Sequence, residues 1–175
     1  MNAKRISFIA LMAVVIAICA WVTIPGPVPF TLQTMGVFLA LKVLGGRDGT
    51  MAVLVYILLG AIGIPVFAGF SGGFGILVGP TGGYIIGFIC MGLAYYGFGM
   101  AMNDRFEIVR MVIGLALCYA FGTAWFMLTF ARANGYSVFA SLMMCVVPFI
   151  IPDLAKMLIA VKVGERVKKA VRIEA

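Results

Sequence analysis

The chain has 175 residues, 64% of them hydrophobic and only 11% charged, and no water-exposed globular surface of this size has that composition, so an integral membrane protein is expected and a soluble domain excluded. Its net charge of +7 does not point to nucleic acid, because the basic residues lie at the ends of apolar runs and not in a Lys/Arg-rich arm with interleaved aromatics. Histidine is absent, which removes the usual general base, proton relay and haem or zinc ligand and argues against catalysis and against a resident cofactor.

Lys4 and Arg5 precede a first apolar run, as in a signal peptide, and Ala17-Ile-Cys-Ala20 even ends in small residues. Five further spans follow, so the run reads as helix 1, from about Ile6 to Val22. Three prolines within Thr23 to Phe30 end it. Helix 2 runs from about Thr31 to Leu44, Gly45 to Gly49 form a polar turn, and helix 3 runs from about Thr50 to Gly63. Both are short for membrane spans. Residues 64–83 carry many glycines and two prolines among Phe67, Phe70 and Phe74, with no charge. Lipid would leave such a backbone unpaired, so the loop is expected to be buried in protein or to line a cavity. Helix 4 follows from about Pro80 to Met102, a charged turn from Asn103 to Glu107, helix 5 from about Ile108 to Ala131, and helix 6 from Val138 after Asn134-Gly135. The expected fold is all-α: one domain over residues 1–175, a bundle of six transmembrane helices with long ordered loops 1–2 and 3–4.

Apart from Arg132 and Lys156, every Lys and Arg falls on one side of this six-span arrangement. The bias of basic residues toward the cytoplasm then places both termini inside and the two unusual loops outside. The cysteines at 19, 90, 118 and 145 lie within apolar runs without a C-x-x-C spacing and read as small buried hydrophobes.

In helix 6, Asp153-Leu-Ala-Lys156 places an acid and a base three apart, on one helical face, in a stretch otherwise uncharged until Lys162. A charge at the centre of a bilayer costs about 2.5–3.5 kcal/mol on insertion scales, so the pair marks polar cargo unless it merely neutralises itself. Pro148 and Pro152 lack an N–H, which frees the carbonyls of Met144 and Pro148 on its outward side.

Pro27-Val-Pro-Phe-Thr-Leu-Gln-Thr34, Gly60-Ala-Ile-Gly-Ile-Pro-Val-Phe-Ala-Gly-Phe-Ser-Gly-Gly73, Gly79-Pro-Thr-Gly-Gly-Tyr84 and Asp153-x-x-Lys156, in that order, resemble the BioY family of biotin-specific S components of energy-coupling-factor (ECF) transporters. The resemblance runs from helix 1 to helix 6. It implies a multi-pass protein of a prokaryotic plasma membrane that captures biotin from outside and works with a transmembrane T component and two cytoplasmic ABC-type ATPases. The chain itself is not expected to be an enzyme. Its nearest approach to a phosphate loop, Gly73 to Gly83, lacks the G-K-[S/T] of a Walker motif.

Biotin offers ureido N–H donors, a ureido carbonyl, an apolar bicycle and a carboxylate, which call for an apolar pocket with a few convergent polar groups. Asp153 can accept from the ureido N–H groups, and Lys156 can donate to the ureido carbonyl, to the carboxylate or to Asp153 itself. Gln33, where the Pro-rich loop enters helix 2, reads as a pocket wall or as a solvated helix start. Thr81 and the N–H groups of Gly82, Gly83 and Tyr84 open helix 4, where a carboxylate could sit, or form an ordinary turn. Phe67, Phe70, Phe74 and Tyr84 could close over the bicycle or pack elsewhere, and Gly73 belongs to the same candidate surface. Trp21 is expected to anchor the outer interface.

Ala13 and Ala17, with Ala10 extending the side, form a small-residue stripe on helix 1. In the family such a stripe meets the T component; packing inside this subunit is the other reading. The stripe Gly79, Gly83, Gly87 is assigned to internal packing. Competing functions are an S component for another small vitamin and a self-sufficient small-solute transporter, the latter weakened by the lack of a charge-lined conduit and of inverted repeats.

Overall fold

The structure is a computed structural model and describes residues 3–26, 28–132 and 134–171. Helix α1 (Ala3–Trp21) is followed by a small antiparallel hairpin of β1 (Thr23–Ile24) and β2 (Phe30–Thr31), then α2 (Gln33–Ala61), the short α3 (Phe74–Val78) and α4 (Gly82–Ala101). A 3₁₀ turn (Asp104–Phe106) leads into α5 (Glu107–Phe126), which ends in a π-helical turn (Met127–Ala131); α6 (Val138–Cys145) and α7 (Val147–Val171) complete the chain.

Helix α2 is two helices. Its backbone is helical except at Gly45, where φ is +77° and ψ 175°, a left-handed conformation open to glycine and costly for other residues. Gln33 Nε2 donates to Tyr56 Oη at 2.8 Å, although a straight helix would hold residues this far apart by about 34 Å. The halves, residues 33–44 and 46–61, therefore run antiparallel about a pivot at Gly45. The expected polar turn is a single-residue reversal, and helices 2 and 3 are present as expected. Five helical stretches are long and apolar enough to cross a membrane, and because α2 doubles back they make a six-helix bundle.

The last expected helix is divided. At Val146 the backbone leaves the helix (φ −123°, ψ −57°), and α7 starts at Val147. Pro148 explains the break: it has no N–H to bond the carbonyl of Met144 and its ring crowds that carbonyl, yet it sits well in the first turn of α7, where no N–H is needed. Pro152, by contrast, lies inside α7, where it leaves the carbonyl of Pro148 without its helical partner.

The α2 hairpin is central, packing on α1, α4 and α7, and the other extensive contact joins α4 to α5. That contact is made through glycine. A Cβ on Gly83 would lie 2.2 Å from Trp125 Cβ, one on Gly122 2.2 Å from Tyr84 Cδ1, and one on Gly87 3.0 Å from Cys118 Sγ. The Gly83 and Gly87 positions of the helix 4 stripe are thus internal packing sites, as expected. The stripe on α1 is mostly internal too: Ala13 and Ala17 are buried in the core with Ile16 and Ala20, whereas Ala10 is exposed. Ala13 and Ala17 are thus covered by this chain's own residues, which leaves Ala10 as the exposed member of the stripe.

Charged side chains gather at one end. Arg5 pairs with Asp48, and Lys42 lies between Glu107 and Glu165. Tyr95 Oη donates to Glu107 Oε1 at 3.0 Å, and the Arg110 guanidinium lies over the Tyr95 ring. Residues from α1, the α2 reversal, α5 and α7 are thus brought to the same end, as the loop-by-loop distribution of basic residues requires.

The glycine contact gives a direct test. Gly83→Val drives methyl groups into Trp125, and overpacking of this kind costs about 1–3 kcal/mol. The variant in detergent is expected to melt below the native protein by about 2–4 °C for each kcal/mol lost. Gly97→Ala, where an added Cβ meets nothing within 4 Å, is the control. Equal melting temperatures for the two variants in a thermal-shift assay would contradict the close α4–α5 approach.

Candidate functional site

Asp153 and Lys156 lie in the upper part of α7, with 2% and 6% of their surface exposed. Two charges so deeply removed from water require each other and further hydrogen-bond partners. Asp153 Oδ1 accepts from Lys156 Nζ at 2.8 Å and from Thr34 Oγ1 at 2.8 Å, and Oδ2 accepts from Tyr119 Oη at 2.6 Å. Lys156 Nζ also donates to the backbone carbonyl of Thr31 at 2.6 Å and stands 4.1 Å from the centre of the Phe30 ring. The pair is held by α2, α5, α7 and the β-hairpin together.

The hairpin exists because the Pro-rich segment cannot remain helical. Thr23 pairs with Thr31 and Ile24 with Phe30, and Pro25 and Pro29 fall between the strands, where no ladder N–H is needed. Leu32 N donates to Val22 O at 3.2 Å, which ties the two arms at their base. This delivers the Thr31 carbonyl and the Phe30 face to the lysine, and Phe30 stacks in turn on Phe149 of α7, with ring centres 5.9 Å apart.

Beside the pair is a cavity of about 220 Å³, more than ten times the space one water requires. Most of its wall is apolar, from Val28, Ile76, Ile85, Phe88 and Phe149; among its polar residues Thr34, Tyr119 and Lys156 gather on Asp153. Of the residues expected from sequence, Asp153, Lys156, Gln33, Thr81, Tyr84 and Phe67 all line this cavity. Gln33 is fixed by its bond to Tyr56, and the Tyr84 hydroxyl lies 3.0 Å from Thr123 Oγ1. Phe67 is buried edge-on against Tyr56, with ring centres 5.5 Å apart.

Phe70, Phe74 and Gly73 are elsewhere. Phe70 and Phe74 are 64% and 65% exposed and do not line the cavity. Phe70, at φ +57°, stacks on Trp21 with ring centres 4.9 Å apart, and Trp21 Nε1 donates to Pro65 O at 2.8 Å. Gly73 serves the backbone: its N–H donates to Gly60 O at 2.7 Å and its φ of +108° lets the chain turn into α3. At the start of α4, Gly82 N donates to Gly79 O and Tyr84 N to Thr81 O, both at 3.1 Å. Two of the three donors expected to meet an anion are thus engaged within the turn.

Sequence reading missed Thr34, Tyr119 and the Thr31 carbonyl. Thr34 closes the very motif in which Gln33 was singled out, one residue further on. Tyr119 carried a weaker signal: a phenol amid the apolar residues of α5 needs a buried partner, and Asp153 is the deep acceptor available.

Comparison with known proteins places this arrangement. The BioY family profile matches residues 1–173. The chain is 43% identical over 162 residues to the biotin transporter BioY of Thermotoga maritima, covering 91% of this chain and 92% of that protein. It is 41% identical over 170 residues to the probable biotin transporter BioY of Pyrococcus horikoshii, covering 96% and 98%. Its fold matches the crystal structure of the S-component for biotin from an ECF-type ABC transporter with a TM-score of 0.82 and 28% identity, over 97% of this chain and 95% of that one. With the match running through the α2 hairpin, the Pro-rich strand pair and the charged pair of α7, the chain belongs to the BioY family.

Proposed function

We propose that this chain is the biotin-binding S component of an ECF-type vitamin transporter. The observation that carries the reading is the buried Asp153–Lys156 pair on the wall of a mostly apolar cavity. A neutral ureido ring with donors and an acceptor suits such a pair, and the bicycle and chain suit the apolar wall. The chain captures and releases its ligand without altering it, which makes it a transporter subunit and not an enzyme.

The division of labour with partners belongs to this proposal. A transmembrane T component and two ABC-type ATPases supply the energy. The end that gathers Arg5, Lys42, Glu107 and Glu165 faces the cytoplasm with both termini, as the bias of basic residues favours. The hairpin and the cavity then face outward. A self-sufficient transporter is the competing reading; liposomes carrying this chain alone are expected to bind biotin without accumulating it, and ATP-independent accumulation would favour that alternative.

Calorimetric titration of the purified protein with biotin tests the site. Asp153→Asn keeps the shape and removes the charge. Hydrogen bonds to charged groups contribute about 1.5–3 kcal/mol, so its Kd is expected to rise by about 10- to 100-fold. Lys156→Ala leaves the carboxylate without its cation, and breaking a buried pair costs about 3–5 kcal/mol, so melting temperature and affinity should fall together. Native affinity in both variants overturns the assignment. A panel of water-soluble vitamins in a thermal-shift assay separates biotin from other cargo: at a hundredfold excess over Kd a ligand stabilises the fold by about 2.7 kcal/mol. A larger shift from another vitamin would replace biotin as the cargo.

A further inference from the structure

Lone-pair accounting at the charged pair points to a second layer of the site. A carboxylate has about four acceptor positions and an ammonium three donors. Asp153 receives three protein donors, two on Oδ1 and one, from Tyr119, on Oδ2. Lys156 gives two bonds, to Thr31 O and Asp153 Oδ1. By this count the carboxylate keeps one acceptor position, on Oδ2, and the ammonium, which stands 4.1 Å from the centre of the Phe30 ring, one donor.

Which way that position faces is decided by Tyr119 and Thr34. A carboxylate swings about its terminal torsion with little barrier, since such torsions are broad. Here each oxygen is held from a different helix, Oδ1 by Thr34 of α2 and Oδ2 by Tyr119 of α5. Both residues line the same cavity. Neither hydroxyl is needed to neutralise the carboxylate, which Lys156 already does.

We propose that Tyr119 and Thr34 are positioning residues for ligand recognition, fixing the Asp153 carboxylate so that one Oδ2 lone pair meets a single N–H donor of the ligand. This rests on the reading of Asp153 as a biotin contact. A carboxylate released from Tyr119 rotates among several orientations and offers the ligand its lone pair only part of the time, which weakens binding with little loss of fold stability.

The test is a double-mutant cycle read by biotin titration. Tyr119→Phe is expected to weaken binding by about tenfold, the scale of one hydrogen bond to a charged acceptor. In the Asp153→Asn background the same change is expected to alter affinity less than about twofold, because the fixed carboxylate is gone. At Thr34, Ser keeps the hydroxyl and is expected to bind like the native protein, whereas Val loses affinity. A purely structural hydroxyl would make Tyr119→Phe equally costly in both backgrounds and lower the ligand-free melting temperature in step, and either result overturns the proposal. Native affinity in Tyr119→Phe alongside weak binding in Asp153→Asn also overturns it while leaving the biotin site intact. Native affinity in Asp153→Asn removes the biotin contact and the proposal together.

Discussion

A carboxylate and an ammonium inside a membrane protein must satisfy each other and their remaining hydrogen-bonding capacity without help from bulk water, and this requirement organises the loop end of the bundle. The Asp153–Lys156 bond is intrahelical and would form in α7 alone. Its other partners are not local. Thr34, Tyr119 and the Thr31 carbonyl come from α2, α5 and the hairpin, so the pair acts as the common point at which four elements meet. An apolar substitute of the same volume would pack there without any of these bonds, so fold stability alone does not call for charge at this point.

The prolines make this meeting possible. Those before α2 replace a helical connection with a strand pair, whose free carbonyl is an acceptor that no regular helix could spare in mid-span. Those in α7 have separate effects: Pro148 ends the preceding helix, and Pro152 loosens the turn directly before Asp153. The packing of α4 on α5 needs no such devices. These two helices approach through glycines beside the cavity wall, and van der Waals contact holds them where no hydrophobic drive operates between helices in lipid.

Much of this was legible in residue types. Helix existence followed from apolar length, a turn between helices 2 and 3 from the polar, glycine-rich run Gly45 to Gly49, and Asp153 from its exceptional setting. What was not legible depended on side-chain direction. Phe67 and Phe70 are three residues apart in one loop, yet one is buried on Tyr56 and the other lies outside on Trp21, because an irregular loop has no period from which to read a face. The same limit applied on α1, where the alanine spacing identified a close-packing stripe but not which neighbour covers it; Gly36 of α2 approaches Ile16 and Cys19 on that side. The strand pair escaped notice because two-residue strands on either side of a proline-rich turn carry no alternation.

The reversal at Gly45 also bears on how the chain enters the bilayer. Its two arms are about 18 Å and about 24 Å long, and each falls short of the roughly 20 residues that an independent span requires. Neither arm can be released into lipid as a finished segment. They are complete only as one hairpin, its arms joined by the Gln33–Tyr56 bond and packed on α1. A single residue at positive φ thus makes one unit of two arms, neither of which has the length of a full span by itself.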